Sequence, residues 1–283
     1  SNPVLEPWLV NDGLPPFERV RPEHFEPAFE QSMREHRTEI DAIVNEVGLP
    51  SFANTVQAFD ASGLALDRTA MLFFNLVSSL GTPDLLAIQQ RVAPVLAVHR
   101  NAIYLDRALF NRIDTLYRKR DTLGLDAESM RLLVRVHKGF VMSGATLEGQ
   151  ARERYAQITQ RLASLQTTFQ QNVLSDESGW HLALQESEAE ALPADVREAA
   201  RGAAEERGMS GHVIPLSRSH LMPFLESCPQ RHLREQAWRA WVQRGAHVGA
   251  HDNRPLMREM LALRAELAAL MGCASYADYA LQD

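Results

Sequence analysis

Residues 147–173 read LEGQARERYAQITQRLASLQTTFQQNV, and their spacing decides the fold class. Leu147, Ala151, Tyr155, Ile158, Leu162, Leu165, Phe169 and Val173 recur in steps of three and four, one face of a helical period. No proline interrupts them, so the run predicts a helix of roughly 27 residues, near 40 Å long by the usual rise. A helix of that length with one apolar stripe needs neighbours to cover it.

The same period supplies those neighbours on the N-terminal side. From Pro22 toward Val47 the apolar positions are Phe25, Phe29, Met33, Ile40 and Ile43, with Gly48 and Pro50 as stops. Asn54-Thr55 opens a second helix whose face is Val56, Phe59, Gly63, Leu66, Ala70, Phe73, Val77 and Leu80. Thr82 then reads as a cap and Pro83 as a first helical residue. Ile88, Val92, Leu96 and Ile103 line the segment that follows, where Pro94 should bend or break the helix. Leu109, Ile113 and Leu116 form another face up to Arg120. Gly124 separates these from a helix capped by Asp126, with Leu133, Val136 and Phe140 inward and Gly144 near its end. The proline-rich stretch before Arg21 reads as an extended arm tacked onto the body by Trp8 and Phe17.

Beyond Asp176 the period changes. Trp180, Leu182 and Leu184 alternate with polar neighbours, and Val213-Ile214-Pro215-Leu216 is a second strand signal. Its proline places it at a sheet edge or a strand end. Between them, Pro193–Gly208 reads as a short helix rich in Ala and Glu. Helix resumes at Leu221–Ser227 and Arg231–Gln243. Asp252 or Asn253 then caps a helix with Pro255 in its first turn, with Leu256, Met260, Leu263, Leu267 and Leu270 on one face and Gly272 as its stop. The expected fold is mainly α, a bundle of long antiparallel helices with a small antiparallel β element near 180–217. The expected organisation is an arm at 1–21, a long-helix bundle at 22–178, a mixed insert at 179–220 and a helical segment at 221–283.

A formal net charge of -7 among 283 residues disfavours nucleic acid as a partner, which needs a dense basic field. The longest apolar run, around Ala70–Leu80, is interrupted by Asn75 and too short to span a bilayer, so no membrane partner is expected. Cys228 and Cys273 are the only cysteines, with no CxxC pair, which points away from a disulfide framework or a cysteine zinc site. No signal peptide is visible. The cytoplasm is the compartment expected, or the periplasm if an export signal has been removed.

No His-Glu-x-x-His, Gly-x-Ser-x-Gly elbow, phosphate loop or dinucleotide fingerprint occurs. His247 and His251 lie four apart, a spacing that suits two metal ligands on one helical turn. Gly249 between them argues for a loop instead, and a polar or substrate-contacting loop is the stronger reading. The loop Gly245–Asn253 is held between two helices, and loops so held often line a binding surface. His247, His251, Asp252, Asn253 and Arg254 are therefore the substrate-cleft or hinge candidates. His232 and Glu235 share a helix face and read as a surface ion pair. By motif alone the chain has no catalytic and no metal-binding residue.

Several ordered pieces carry a family resemblance. They are Pro15-Pro16-Phe17, the run Arg21-Pro22-Glu23-His24-Phe25-Glu26-Pro27-Ala28-Phe29, Phe52-Ala53-Asn54-Thr55 and Ile103-Tyr104-Leu105-Asp106. Leu109-Phe110, Leu123–Ser129, Phe140-Val141 and Gly144-Ala145 follow, then Asp252-Asn253, Leu263-Arg264-Ala265-Glu266, Leu270-Met271-Gly272 and Tyr276-Ala277. In this order they resemble the N-terminal part of zinc metallopeptidases of the thimet oligopeptidase group, most closely its bacterial peptidyl-dipeptidase (dipeptidyl carboxypeptidase) branch. The resemblance implies a helical ellipsoid with a deep channel that admits short peptides. Its zinc is held by a His-Glu-x-x-His helix and a later Glu in a C-terminal catalytic domain. None of those positions occurs here, so no catalytic or metal role carries over. The expectation is a channel-wall portion, inactive by itself and binding no zinc, whose partners are the catalytic domain of the same polypeptide and short peptides. The alternatives are a stand-alone helical peptide-binding or scaffold protein, and an oligopeptidase that cuts internally.

Overall fold

The computed structural model describes residues 2–8 and 13–282. It is mainly helical, with one small antiparallel sheet among the described residues. The chain forms two compact units: one runs to Thr167 and takes in the chain from Ala262 onward, and the other is Thr168–Leu261. The expected segment 221–283 is thus divided between the two.

The first unit begins with a turn of tight helix, Pro22–His24, that leads into α1 (Phe25–Val44). Ser51 then caps a loosely wound segment, Phe52–Gln57, in which the Ala58 N–H reaches back to the Ala53 carbonyl, and α2 (Ala58–Asp60) follows directly. The expected helix from Asn54 to Leu80 breaks here, and α3 (Leu64–Ser79) starts afresh. The break has a local cause. Gly63 sits in the left-handed region at φ +78°, and its N–H donates to the Glu39 carboxylate at 2.7 Å. A Cβ at this position would lie 2.9 Å from the His36 ring, so the close approach of α1 requires glycine.

Thr82 caps α4 (Pro83–Tyr104), with Pro83 at its start as expected. Pro94 does not interrupt this helix, which continues to Tyr104. Asp106 accepts from the Leu109 N–H at 3.0 Å to start α5 (Arg107–Arg118). Asp126 does the same for α6 (Ala127–Met142), accepting from Ser129 at 2.7 Å. Each such cap is worth about 1 kcal/mol. The decisive stretch forms α7 (Gly149–Gly179), longer than its apolar period because it runs on through Asp176.

Phe25, Phe29 and Phe73 meet at the centre of one cluster, with ring centroids 5.0 and 5.3 Å apart across α1 and α3. Ile40, Ile43, Ile103, Leu109, Ile113 and Phe140 make a second cluster from α1, α4, α5 and α6. Each fully buried Phe contributes about 1.5–3 kcal/mol relative to exposure. The arm is held by Val4, which is fully buried, and by Trp8, over whose ring the Arg68 guanidinium lies. Phe17 does not anchor it: the side chain is half exposed, because the turn Pro15–Val20 buries Val20 instead. Leu80 likewise falls outside the core, since α3 ends at Ser79.

In the second unit β1 (His181–Leu184) pairs antiparallel with β2 (His212–Pro215), placing Leu182 opposite Ile214 and His181 opposite Pro215. Pro215 closes its strand, as its missing N–H requires. Between the strands come α8 (Glu186–Glu190) and α9 (Ala194–Glu206). Ala200, Ala203 and Ala204 on α9 are buried, and the last two pack with Val213 of β2. The small side chains let the helix backbone approach the strand. Next are α10 (Arg218–Ser227) and α11 (Arg231–Val242), which give Leu221, Phe224, Leu233 and Ala237 to a core shared with Leu184, Ile214 and Leu216. The polypeptide then enters α12 (Arg254–Leu270), stopped by Gly272 at φ +71°, and α13 (Tyr276–Ala280), capped by Ser275. Leu263 and Leu267 are buried, and in the first unit Glu266 accepts two hydrogen bonds from Arg154 on α7. No helix among the described residues is long and apolar enough to cross a membrane. Both cysteines are free.

Two predictions follow from the α1–α3 corner. Gly63→Ala should lower stability by about 1–3 kcal/mol in urea unfolding, since it combines a strained φ with a clash on His36. His36 Nδ1 and His99 Nε2 share a hydrogen bond of 3.1 Å, and His36 Nε2 faces Ser62. Burial pushes His99 down to about 4, helped by His36 and Arg37, and burial also lowers His36 against the pull of Glu39 and Asp67. Both folded values lie below the ordinary 6.5, so the unfolded chain binds more protons in between. The associated stability is present above pH 6.5 and is lost as pH falls toward 4. The urea midpoint should fall across that window in the native chain and less so in His99→Gln; equal slopes would show that the pair is not responsible.

Candidate functional site

Asp176 stands in the last turns of α7 with its side chain 11% exposed, and three donors from one loop converge on it. The Gly245 N–H reaches Oδ2 at 2.7 Å, His247 Nε2 reaches the same oxygen at 2.7 Å, and His251 Nδ1 reaches Oδ1 at 3.0 Å. Burial pushes this carboxyl up, but the hydrogen bonds from Gly245, His247 and His251 outweigh it and hold the group below its usual range.

The loop geometry follows from its sequence. Gly245 takes a positive φ of 63°, and an added Cβ would lie 2.6 Å from the Asn253 amide. Asn253 closes the loop by donating its N–H to the Gly245 carbonyl at 2.8 Å. Its side chain is buried, donating to the Phe169 carbonyl at 3.0 Å and accepting from Asn172 at 2.8 Å. Beside it, Arg244 pairs with Glu177 and lies over the Trp241 ring. α7 is thus fastened to the loop at Phe169, Asn172, Asp176 and Glu177, one turn after another.

Of the sequence candidates, the structure brings His247 and His251 together on one carboxylate. Asn253 points inward to α7. Asp252 and Arg254 instead hold each other through bonds of 2.8 Å to both carboxylate oxygens, which brings the Asp252 carboxyl down to about 2. The Asp252 side chain also accepts from the Arg254 N–H at 3.0 Å at the start of α12. Glu235 pairs with Arg239 at 2.7 Å, so the surface ion pair of that helix face is not with His232. The residue that sequence reasoning missed is Asp176. Its only signal was a carboxylate at the end of a long apolar period, with partners some seventy positions away.

The site opens into a cleft of about 770 Å³ within the second unit. Trp180, His181, Leu182 and Leu216 line it, together with Gln236, Arg239 and Ala240 of α11 and Gln243 just past that helix. Asp176, His247 and His251 line it as well. Both imidazoles direct a ring nitrogen at the carboxylate, so those nitrogens and its oxygens face one another and not a common point where a cation could sit. Among the described residues no group of three or more His, Cys, Asp or Glu side chains is arranged to hold a metal ion. The residues present do not fit the zinc that the resemblance assigns to a full-length enzyme. The arrangement orients two imidazoles on one nearly buried carboxylate.

A mainly helical protein with such a cleft has close parallels in sequence. Peptidase family M3 matches residues 224–283, from the end of α10 through α13. Across the whole chain there is 32% identity to a dipeptidyl carboxypeptidase of Salmonella typhimurium and, over 99% of it, 30% identity to that of Escherichia coli. An oligopeptidase A of Haemophilus influenzae is 29% identical over 99% of the chain. The chain is therefore homologous, from one end to the other, to peptidases of family M3. It spans 42% of the length of the two dipeptidyl carboxypeptidases and 41% of the oligopeptidase, in their N-terminal part.

Asp176→Asn should loosen the loop by about 1–3 kcal/mol, the cost of an impaired buried network. Hydrogen exchange at the Gly245 amide reports it directly. The folded carboxyl lies below its ordinary 3.8, so the native attachment should persist through pH 3.8 and fail only as pH falls through the folded value. Gly245 exchange that is insensitive to the substitution would show that the carboxylate does not hold the loop.

Proposed function

We propose that this chain is the N-terminal, channel-wall portion of a zinc-dependent peptidase that cleaves oligopeptides, releasing dipeptides from free C-termini. The observation that carries the reading is the similarity to dipeptidyl carboxypeptidases from one end of the chain to the other, over 42% of their length. The zinc-binding motif and the general base belong to a C-terminal catalytic domain of the same polypeptide, so the 283-residue chain alone neither holds zinc nor hydrolyses peptides. The compartment proposed is the cytoplasm, or the periplasm if an export signal has been removed.

In this reading the segment 221–283 leads into the catalytic domain, and His247, His251, Asp252, Asn253 and Arg254 border the substrate cleft. His247 and His251 offer their outward nitrogens to peptide amides, while Asp252, Asn253 and Arg254 fix the loop and the start of α12. The cleft walls act by excluding bulky folded substrates and by orienting extended ones, which lowers the entropic barrier for the distant metal site.

The test begins with the gene. Reading beyond the codon for Asp283 should reveal an open frame containing His-Glu-x-x-His, and the polypeptide including it should release dipeptides where the 283-residue chain does not. A stop codon at that place, with peptide binding retained, would favour a stand-alone binding protein. Hydrolysis or tight zinc binding by the 283-residue chain would overturn the reading. In the longer polypeptide, replacing both His247 and His251 with Ala should raise KM by about 2- to 10-fold, the value of one or two hydrogen bonds. Unchanged kinetics would leave these residues a purely structural loop.

A further inference from the structure

The cleft of the second unit has an unusual pair of walls. One is β1, a strand that among the described residues pairs only with β2 and so keeps one edge open. The two strands differ in surroundings: β2 is mostly buried, whereas His181 and Ala183 of β1 are exposed. Successive side chains of a strand point to opposite faces. Both His181 and Leu182 line the cleft, so residues from both faces of β1 border it. An open edge presents unpaired backbone donors and acceptors, a template for another extended chain.

α11 contributes to the lining of the same cleft. Gln236 and Arg239 of α11, and Gln243 that caps its end, lie at steps of three and four and line this cleft. Each glutamine amide can both donate and accept, and neither makes a hydrogen bond within the protein among the described residues. A peptide laid in the cleft has backbone groups on both sides: one set can pair with β1 and the other can meet these side chains. Trp180 and Leu182 supply apolar contact beneath it.

We propose that β1 binds an oligopeptide by adding it as a third strand of the sheet, with Gln236 and Gln243 satisfying its outer backbone groups. Recognition through main-chain bonds gives affinity without demanding a particular sequence. The proposal rests on the peptidase reading for its choice of a peptide as occupant, and it places that peptide against this strand. His247 and His251 line the same cleft.

The probe is a synthetic peptide of about six residues built from alanine, serine and lysine, titrated into the full 283-residue chain. Two further versions carry N-methyl groups on the odd or on the even amides. Binding should shift the backbone amide resonances of Trp180–Ala183. One methylated version should bind about tenfold more weakly or worse, and the other much less so, because only alternate amides of a strand face its neighbour. Gln236→Ala combined with Gln243→Ala should weaken the unmodified peptide while circular dichroism stays unchanged. Equal effects of the two methylation patterns, or resonance shifts confined to other residues, would overturn strand addition and leave the peptidase reading intact. Absence of binding would also overturn it, whereas dipeptide release by the longer polypeptide tests the peptidase reading separately.

Discussion

The carboxylate of Asp176 is the constraint on which the second unit depends. It sits nearly buried, and a buried charge must be neutralised or supplied with donors. Gly245, His247 and His251 supply them from a single loop. That requirement sets the path of the loop Gly245–Asn253 between α11 and α12. Asn253 extends the attachment by tying the loop to Phe169 and Asn172 on the same helix. Removing the charge would leave two imidazoles and one amide to find partners elsewhere, in a place where water reaches only part of them.

The first unit solves its packing differently. Its helices interlock through aromatic side chains: Phe25, Phe29 and Phe73 in one cluster, and Phe59, Tyr104 and Phe140 in the other. Where backbones must approach, the chain uses glycine, as at Gly63 beneath the His36 ring. In the second unit alanine has that task, along α9 against β2. The contrast matters for the cleft. Close packing behind β2 leaves β1 as the strand that faces outward.

Most of the helical frame was legible in the sequence because the three-four period, the caps and the stops agree with one another. Thr82, Asp126 and Gly272 illustrate this, since each is a local signal with a local consequence. Gly63 was read as part of a face because it kept the period; its actual role depends on His36 and Glu39, which lie on another helix. Pro94 reads as a breaker, yet α4 continues past it, with Val92 and Ile103 on either side buried in the packing. The loop histidines were visible as a polar cluster held between helices. Asp176 was not, because a carboxylate near the end of an amphipathic helix looks like any solvated residue until the loop some seventy positions later folds onto it. β1 was legible from alternation and β2 from its run Val213–Leu216, but the cleft beside β1 is a property of the assembled unit alone.

The chain leaves the first unit at Thr167 and rejoins it at Ala262. This interleaving orders the events of synthesis. The second unit is a continuous stretch that is wholly translated once Leu261 has emerged, whereas the first must wait for Leu263, Glu266, Leu267 and Tyr279. Units of a polypeptide tend to fold as each becomes complete on the ribosome. The earlier-numbered unit is therefore the later to be complete, since residues that belong to it emerge only after the whole of the second unit.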